Sequence, residues 1–324
     1  MIPFKKVDLG QAYQKVEPLF KNGFVGLGEV VFELEKKLAE YLGCKYVVST
    51  NSCTSALFLA LQYERLNNGV KNVFIPSMTV PLVYNAAAEA GMYVAFDMRT
   101  DWVGNYYQIS GSSVFDSAHE ISRDQFSEMK AKYKLKDMKV CFSFYPTKTI
   151  GSADGGAIAT DDEDFANWAR QQTTYGRTQE QFRQSSWNYD VVSLGHKMHY
   201  TNLQAAICIE QLDRLDQTLG RLLEIVRKYN EAFNLSNNSC YLYRINVKNR
   251  DYFLEYMQKH GIECGVHFKP LHLMQPFKDV LMYGKEEVEE AYKTTVSLPL
   301  YSLLTDEEIG YIITTVKEYA GRSI

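Results

Sequence analysis

The 324 residues carry a formal net charge of −4 with acids and bases interspersed, and with no basic run or aromatic-basic alternation nucleic acid is not an expected partner. At 46% hydrophobic, with 17 Phe and 23 Tyr, the chain can bury a sizeable core, and its length carries a prior of roughly two domains. No stretch approaches the roughly 18 uninterrupted apolar residues of a membrane helix, and MIPFKKVDLGQAYQKVEPLF lacks the apolar block of a signal peptide, so a soluble, cytoplasmic protein is expected. Cys44, Cys53, Cys141, Cys208, Cys240 and Cys264 share no Cys-x-x-Cys spacing, which argues against a zinc knuckle or a disulfide framework.

In chain order, VVFELEKKLAEYLG puts Val31, Leu34, Leu38 and Leu42 on one helical face and ends at Gly43, a C-cap. KYVVST reads as a buried strand and NSCTSALFLALQYERL as a helix opened by hydroxyl and amide residues. NVFIPS, PLVYNAAAEAG and MYVAFD repeat the rhythm, followed by SSVFD, a charged helical segment and VCFSF. Strands alternating with helices predict a mostly parallel sheet between helices. Residues 203–233 read as one long amphipathic helix joining two domains. Beyond it, CYLYRINV, DYFLEYMQKHG and IECGVHF predict a β-α-β unit, and TDEEIGYIITTVKEYA a closing helix with Thr305 and Glu308 at capping-box spacing.

In parallel sheets ligands gather at the carboxyl ends of strands. Three such ends carry polar residues. Ser52, Thr54 and Ser55 present hydroxyls at a helix N-terminus, which suits an anion, although in isolation plain N-capping is the simpler explanation. Asp116 follows SSVF with His119 three residues on, where Ser117 and Glu120 also fit a capping box. VCFSF runs into YPTK, which carries Lys148, on its own an unremarkable loop lysine. The combination suits pyridoxal 5'-phosphate: an amine for its aldehyde, a carboxylate for its ring nitrogen and hydroxyls at a helix end for its phosphate.

With GFVGLGEVVFELEKKLAEYLGCKYVVSTNSCTSALFLAL, IPSMTVPLVYNAAAEAG, FDSAHE, FSFYPTKTIGSADGGAIAT, YDVVSLGHKMHYTNLQAAICIEQLDRLD, GIECGVHFKPLHL and SLPLYSLLTDEE in that order, the chain resembles the DegT/DnrJ/EryC1/StrS family of pyridoxal-phosphate-dependent nucleotide-sugar aminotransferases. The resemblance implies an α/β, aspartate aminotransferase-like fold of type I. It has a large cofactor-binding domain over 1–215 and a smaller C-terminal α/β domain over 216–324. It implies an amino group moved, typically from glutamate, to a keto group of a nucleotide-linked sugar. Lys148 falls on the family's Schiff-base lysine, Asp116 on the partner of the ring nitrogen, and His119 on the residue beside the ring hydroxyl. Thr54, Ser55 and Ser143 fall on phosphate ligands. Lys197 or His199, in GHKMHY, is implied to reach the phosphate across an obligate homodimer. Tyr145 and His267 are implied substrate contacts, and Arg177 is a candidate for a donor carboxylate or substrate phosphate.

Three departures bear on this. Val80 stands where an aromatic stacks on the cofactor ring. Residues 97–116 are much shorter than their counterpart, so an open sheet edge or a reshaped sugar-nucleotide pocket is expected. Cys53 replaces a small Gly or Ala of the phosphate cradle, and GSADGG the commoner GEGG. Other readings are a pyridoxal-phosphate sugar dehydratase, against which Lys148 counts because the family's dehydratases carry histidine there, and a non-catalytic binding protein. A nicotinamide enzyme fits poorly, since GLGEVV follows no strand. No metal is expected: His196 with His199 and His267 with His272 are isolated pairs, read as packing histidines.

Overall fold

A computed structural model describes residues 1–178, 187–282 and 284–322. Helices α1 (Ala12–Asn22) and α2 (Glu29–Leu42) precede strand β1 (Tyr46–Thr50), helix α3 (Cys53–Asn67), β2 (Asn72–Pro76), α4 (Pro81–Glu89) and β3 (Tyr93–Asp97). Then come β4 (Tyr107–Gln108), β5 (Val114–Asp116), α5 (Gln125–Tyr133), β6 (Lys139–Ser143), β7 (Gly156–Thr160) and α6 (Glu163–Thr173). The C-terminal part holds α7 (Asn202–Asp213), α8 (Leu215–Phe233), β8 (Tyr243–Asn246), α9 (Arg250–Lys259), α10 (Lys285–Thr294), β9 (Thr295–Leu298) and α11 (Asp306–Arg322).

The expected helical faces form. Val31, Leu34, Leu38 and Leu42 are each at most 1% exposed, and Gly43 closes α2 at φ 73° with its N–H on the Ala39 carbonyl. Burying one such leucine contributes roughly 1.5–3 kcal/mol. At α11 the capping box is complete: Thr305 N–H donates to Glu308 Oε2 at 3.0 Å and Glu308 N–H to Thr305 Oγ1 at 3.1 Å.

The main sheet has the order β1-β7-β6-β5-β4. β7 is antiparallel to both β1 and β6, β5 is parallel to β6, and β4 runs against β5. The parallel pair β2-β3 joins on through Phe74 and Ser110, whose N–H and C=O groups exchange bonds of 2.9 and 3.0 Å. Strands β1, β2, β3, β5 and β6 thus run one way and β4 and β7 against them, so the sheet is mixed within its mainly one-way direction. The shortened stretch therefore does not leave an open gap: Tyr107–Ser110 fills the place between β5 and β2. Gly111, at φ 92°, turns this hairpin, and a Cβ there would come 2.6 Å from the Asn72 carbonyl oxygen.

Three expectations change. The single helix over 203–233 is two, α7 and α8, broken at Arg214, whose guanidinium is drawn onto Asp8 Oδ2 at 2.8 Å and the Asp8 carbonyl at 2.8 Å. The C-terminal β-α-β unit ends without its second strand. Residues 262–265 make only isolated bridges, Ile262 to Ile2 and Gly265 to Ser297, and β8 pairs antiparallel with β9 instead. Ser117 to Glu120 is a turn and not a helix start, with Glu120 N–H on the Ser117 carbonyl at 3.3 Å; the next helix waits until Gln125.

Apolar residues of α3, α4 and the strands form one core on one side of the sheet, and those of α2, α5 and α7 another on the opposite side. A third gathers α8, β8, α9, β9 and α11. Ser77, at the end of β2, is locked to the C-terminal part: its hydroxyl meets His272 Nδ1 at 2.6 Å, and His272 Nε2 lies 3.2 Å from Glu289. Ser77 is fully buried, so this serine-histidine-glutamate line is a structural staple.

Candidate active site

The anion cradle forms at the start of α3. Ser52 caps the helix, its Oγ accepting from Ser55 N–H at 3.1 Å, while Ser55 Oγ donates to Asn51 Oδ1 at 2.7 Å. Both hydroxyls are thus committed within the loop. Thr54, one residue inward and partly exposed, makes no side-chain hydrogen bond among the described residues. Gly156 opens β7 directly beneath this turn, where a Cβ would lie 2.5 Å from the Cys53 nitrogen, so the last glycine of GSADGG is required by contact. Cys53 fits beneath the cradle as a packed neutral thiol, since burial first, then the Asp116 charge, pushes it well above its ordinary range.

Asp116 ends β5 and is 4% exposed. Its Oδ1 accepts Ala118 N–H at 2.9 Å, and its Oδ2 accepts the Tyr107 hydroxyl at 2.9 Å. Burial raises its carboxyl above the ordinary range, opposed by these two donors and by Lys148. His119 is buried, with Nδ1 accepting Gly104 N–H at 3.1 Å. That bond puts the proton of the neutral ring on Nε2. Neutral it stays, because burial, followed by the charge of Lys148, drives its pKa well below the usual value.

Lys148 sits in the loop after β6, its N–H on the Tyr145 carbonyl at 2.9 Å and its ammonium 4.4 Å from the Tyr241 ring. It is near enough to act on the charge of Asp116, His119, Cys53 and His267. The three strand ends therefore converge. Ser143 closes β6, its Oγ accepting a long 3.4 Å bond from Tyr145 N–H, and Tyr145 itself is 51% exposed at the loop rim.

His267 joins this neighbourhood, stacked on Phe4 at 5.1 Å with Nδ1 2.9 Å from Ser297 Oγ; burial, with Lys5 and Lys148 nearby, lowers it to about 4. Val80 caps α4 without a ring to offer and is 36% exposed. Lys197 is exposed and His199 half-buried, on a segment that runs past the cradle, where Asn51 N–H donates to the Met198 carbonyl at 2.7 Å. His199 itself turns into a cleft with Glu35 and Arg170. Arg177 is buried against Tyr189, 3.9 Å from its ring, and donates to the Tyr175 hydroxyl at 3.3 Å.

Four neighbours were not singled out by sequence. Lys5 donates to the carbonyls of Tyr241 and Leu300 and lies 4.4 Å from the Tyr241 ring. Burial, with the Lys148 charge added, brings its amine down to about 7. Trp102 stacks on His119 at 5.2 Å and lies 4.4 Å from Tyr107. Nothing local marks Lys5, Trp102 or Tyr241, which arrive from distant segments. Tyr107 had a readable signal, because a hairpin turned at Gly111 sets it opposite Asp116.

A family model for the DegT/DnrJ/EryC1/StrS aminotransferase family matches residues 10–114 and 114–317. The chain belongs to that family. It is 26% identical to the spore coat polysaccharide biosynthesis protein SpsC of Bacillus subtilis over 367 positions, 94% of this chain and 93% of that protein. It is 27% identical to a UDP-4-amino-4,6-dideoxy-N-acetyl-beta-L-altrosamine transaminase of Campylobacter jejuni over 343 positions, 89% of each. Among solved structures, Spr1654 of Streptococcus pneumoniae in its PLP form superposes with a TM-score of 0.82 at 23% identity, covering 100% of this chain and 99% of that one. The architecture is thus the fold-type I α/β arrangement of these aminotransferases. The two matched parts meet at residue 114, the first of β5, and the SpsC alignment is longer than the 324 residues of this chain, so that relative carries sequence this one lacks.

Proposed function

We propose that the protein is a pyridoxal-phosphate-dependent aminotransferase that moves an amino group, from a donor such as glutamate, to a keto group of a nucleotide-linked sugar. The observation that carries this reading is the convergence of Lys148, after β6, with Asp116 and His119, at the end of β5, beside the start of α3: the Tyr241 ring lies 4.4 Å from the Lys148 ammonium and 4.6 Å from the His119 ring. Family membership and the transaminase named among its relatives support it. The donor set fits the cofactor: Thr54 has an uncommitted hydroxyl at a helix N-terminus, His119 a proton on Nε2, and Asp116 one accepting position left on each oxygen.

When bound, pyridoxal phosphate supplies an electron sink for the carbon that carries the amino group. Lys148 provides the amine that anchors it and, once released, the base that carries the proton at Nζ. Asp116 would hold the proton on the ring nitrogen, and His119 would donate from Nε2 to the ring oxygen. Thr54, Ser143 and the α3 terminus would take the phosphate, and Ser55 would join them by turning its hydroxyl away from Asn51. Lys197 or His199 completes that pocket from a second copy of the chain, which makes the working unit a homodimer. His267, Tyr145 and Arg177 are proposed for the substrate side. The large unit covers 1–215 and the small one 216–324.

Purified protein mixed with pyridoxal phosphate is expected to show the visible band of the lysine-bound cofactor, lost in Lys148→Ala. An unchanged band in that variant refutes the assignment. Glutamate should then bleach the band, and a panel of nucleotide keto-sugars should contain one that restores it. A non-catalytic reading rests on Val80, which leaves one ring face without its aromatic, and it predicts a band that glutamate does not change.

A further inference from the structure

The hairpin that replaces the missing stretch does more than close the sheet. Register pairs Tyr107 directly with Asp116 and Gln108 with Phe115. Residues directly opposite in an antiparallel pair share a face, so Tyr107 is delivered to the carboxylate by backbone pairing alone. Its position is over-determined. The Ser110–Phe74 exchange fixes the strand's far end, Trp102 packs on the Tyr107 ring at 4.4 Å, and the Arg99 guanidinium lies 5.6 Å from that ring, itself held by Asp97 Oδ2 at 2.9 Å. Tyr107 is 3% exposed, and burial beside Asp116 keeps its phenol protonated, so it acts only as a donor toward the carboxylate.

We propose that Tyr107 is a positioning residue for the transfer reaction: its hydroxyl, donated to Asp116 Oδ2, fixes and acidifies the carboxylate that faces the cofactor's ring nitrogen. The role rests on the proposed pyridoxal-phosphate chemistry. A carboxylate that accepts two donors is a weaker base, so the proton it shares stays on the ring nitrogen. Without the hydroxyl, Asp116 draws that proton toward itself and the ring loses positive charge. Tyr107 lies on the shortened stretch, within the first matched part and shortly before residue 114, where the family match divides.

The test is Tyr107→Phe, which removes the donor and keeps the ring. The dissociation constant for pyridoxal phosphate is expected to rise roughly tenfold. The pH midpoint of the visible band is expected to move upward by about half a unit or more, because a less positive ring repels a nearby proton less. Gln108→Ala, on the opposite face of the same strand, should move neither quantity. A fluorinated tyrosine at position 107, a stronger donor of nearly the same shape, should move the midpoint downward, and it serves as the deciding variant if Tyr107→Phe does not fold. Unchanged affinity and midpoint in Tyr107→Phe, or an unmoved midpoint with the fluorinated residue, overturn the role of Tyr107 while leaving the cofactor reading intact. No visible band in the unsubstituted protein overturns that reading itself, and Tyr107 with it.

Discussion

The two ends of the candidate site are built by different means. At the cradle end, Ser52, Thr54 and Ser55 are sequence neighbours, and the cap, the committed hydroxyls and the free one all follow from one turn entering α3. At the carboxylate end, Asp116 and His119 meet Trp102 and Tyr107 from the preceding stretch and Tyr241 from the C-terminal part, and every polar group is buried. A local, half-exposed site tolerates loss of one donor because water replaces it; a buried site built from distant parts does not. Substitutions at the carboxylate end should therefore cost more than those at the cradle.

The largest difference is expected for Asp116→Ala. Amino transfer from glutamate should fall about 100- to 1000-fold, measured by single-turnover bleaching of the visible band. A loss no greater than that of a cradle variant would erase the distinction between the ends. Next in size is a pH effect confined to the buried end. Unfolded His267 takes up a proton near 6.5 and the folded one only near about 4, so the unfolded chain binds more protons between these values and stability falls as pH drops through them. The loss at pH 4 is on the order of 3 kcal/mol. Asp116, raised by burial, acts in the opposite sense, so the check compares chemical denaturation of the unsubstituted protein with His267→Gln, which should lose less stability on acidification.

At the cradle, Thr54→Val should weaken cofactor binding about tenfold with little change in melting temperature, since its hydroxyl makes no hydrogen bond among the described residues. A large drop in melting temperature would show that this end is also structural. The smallest effect is expected for Val80→Tyr, which offers a ring where the chain has none: binding should tighten by about 0.5–1.5 kcal/mol, read by fluorescence titration. No gain would indicate that aromatic residues of the buried end already cover the ring.

Legibility in the sequence follows the same division. α2, α3, β1 and the α11 cap were readable because periodicity and capping are local, and so was the place of Lys148, Asp116 and Thr54 at or just beyond strand ends, where ligands gather in such sheets. The break at Arg214 was not readable, since it depends on Asp8 from the far N-terminus, and neither was β9, whose partner β8 lies 49 residues away at Asn246–Thr295.

By itself, then, the sequence determined the alternation of strands and helices, the polar strand ends and the shortening before Asp116. Only the tertiary structure decided that the shortened stretch returns as a strand between β5 and β2, and that Trp102 packs on His119. The physical reason is that strand pairing and ring packing are rewarded by partners distant in the chain, whereas caps, turns and helical faces are rewarded by their neighbours.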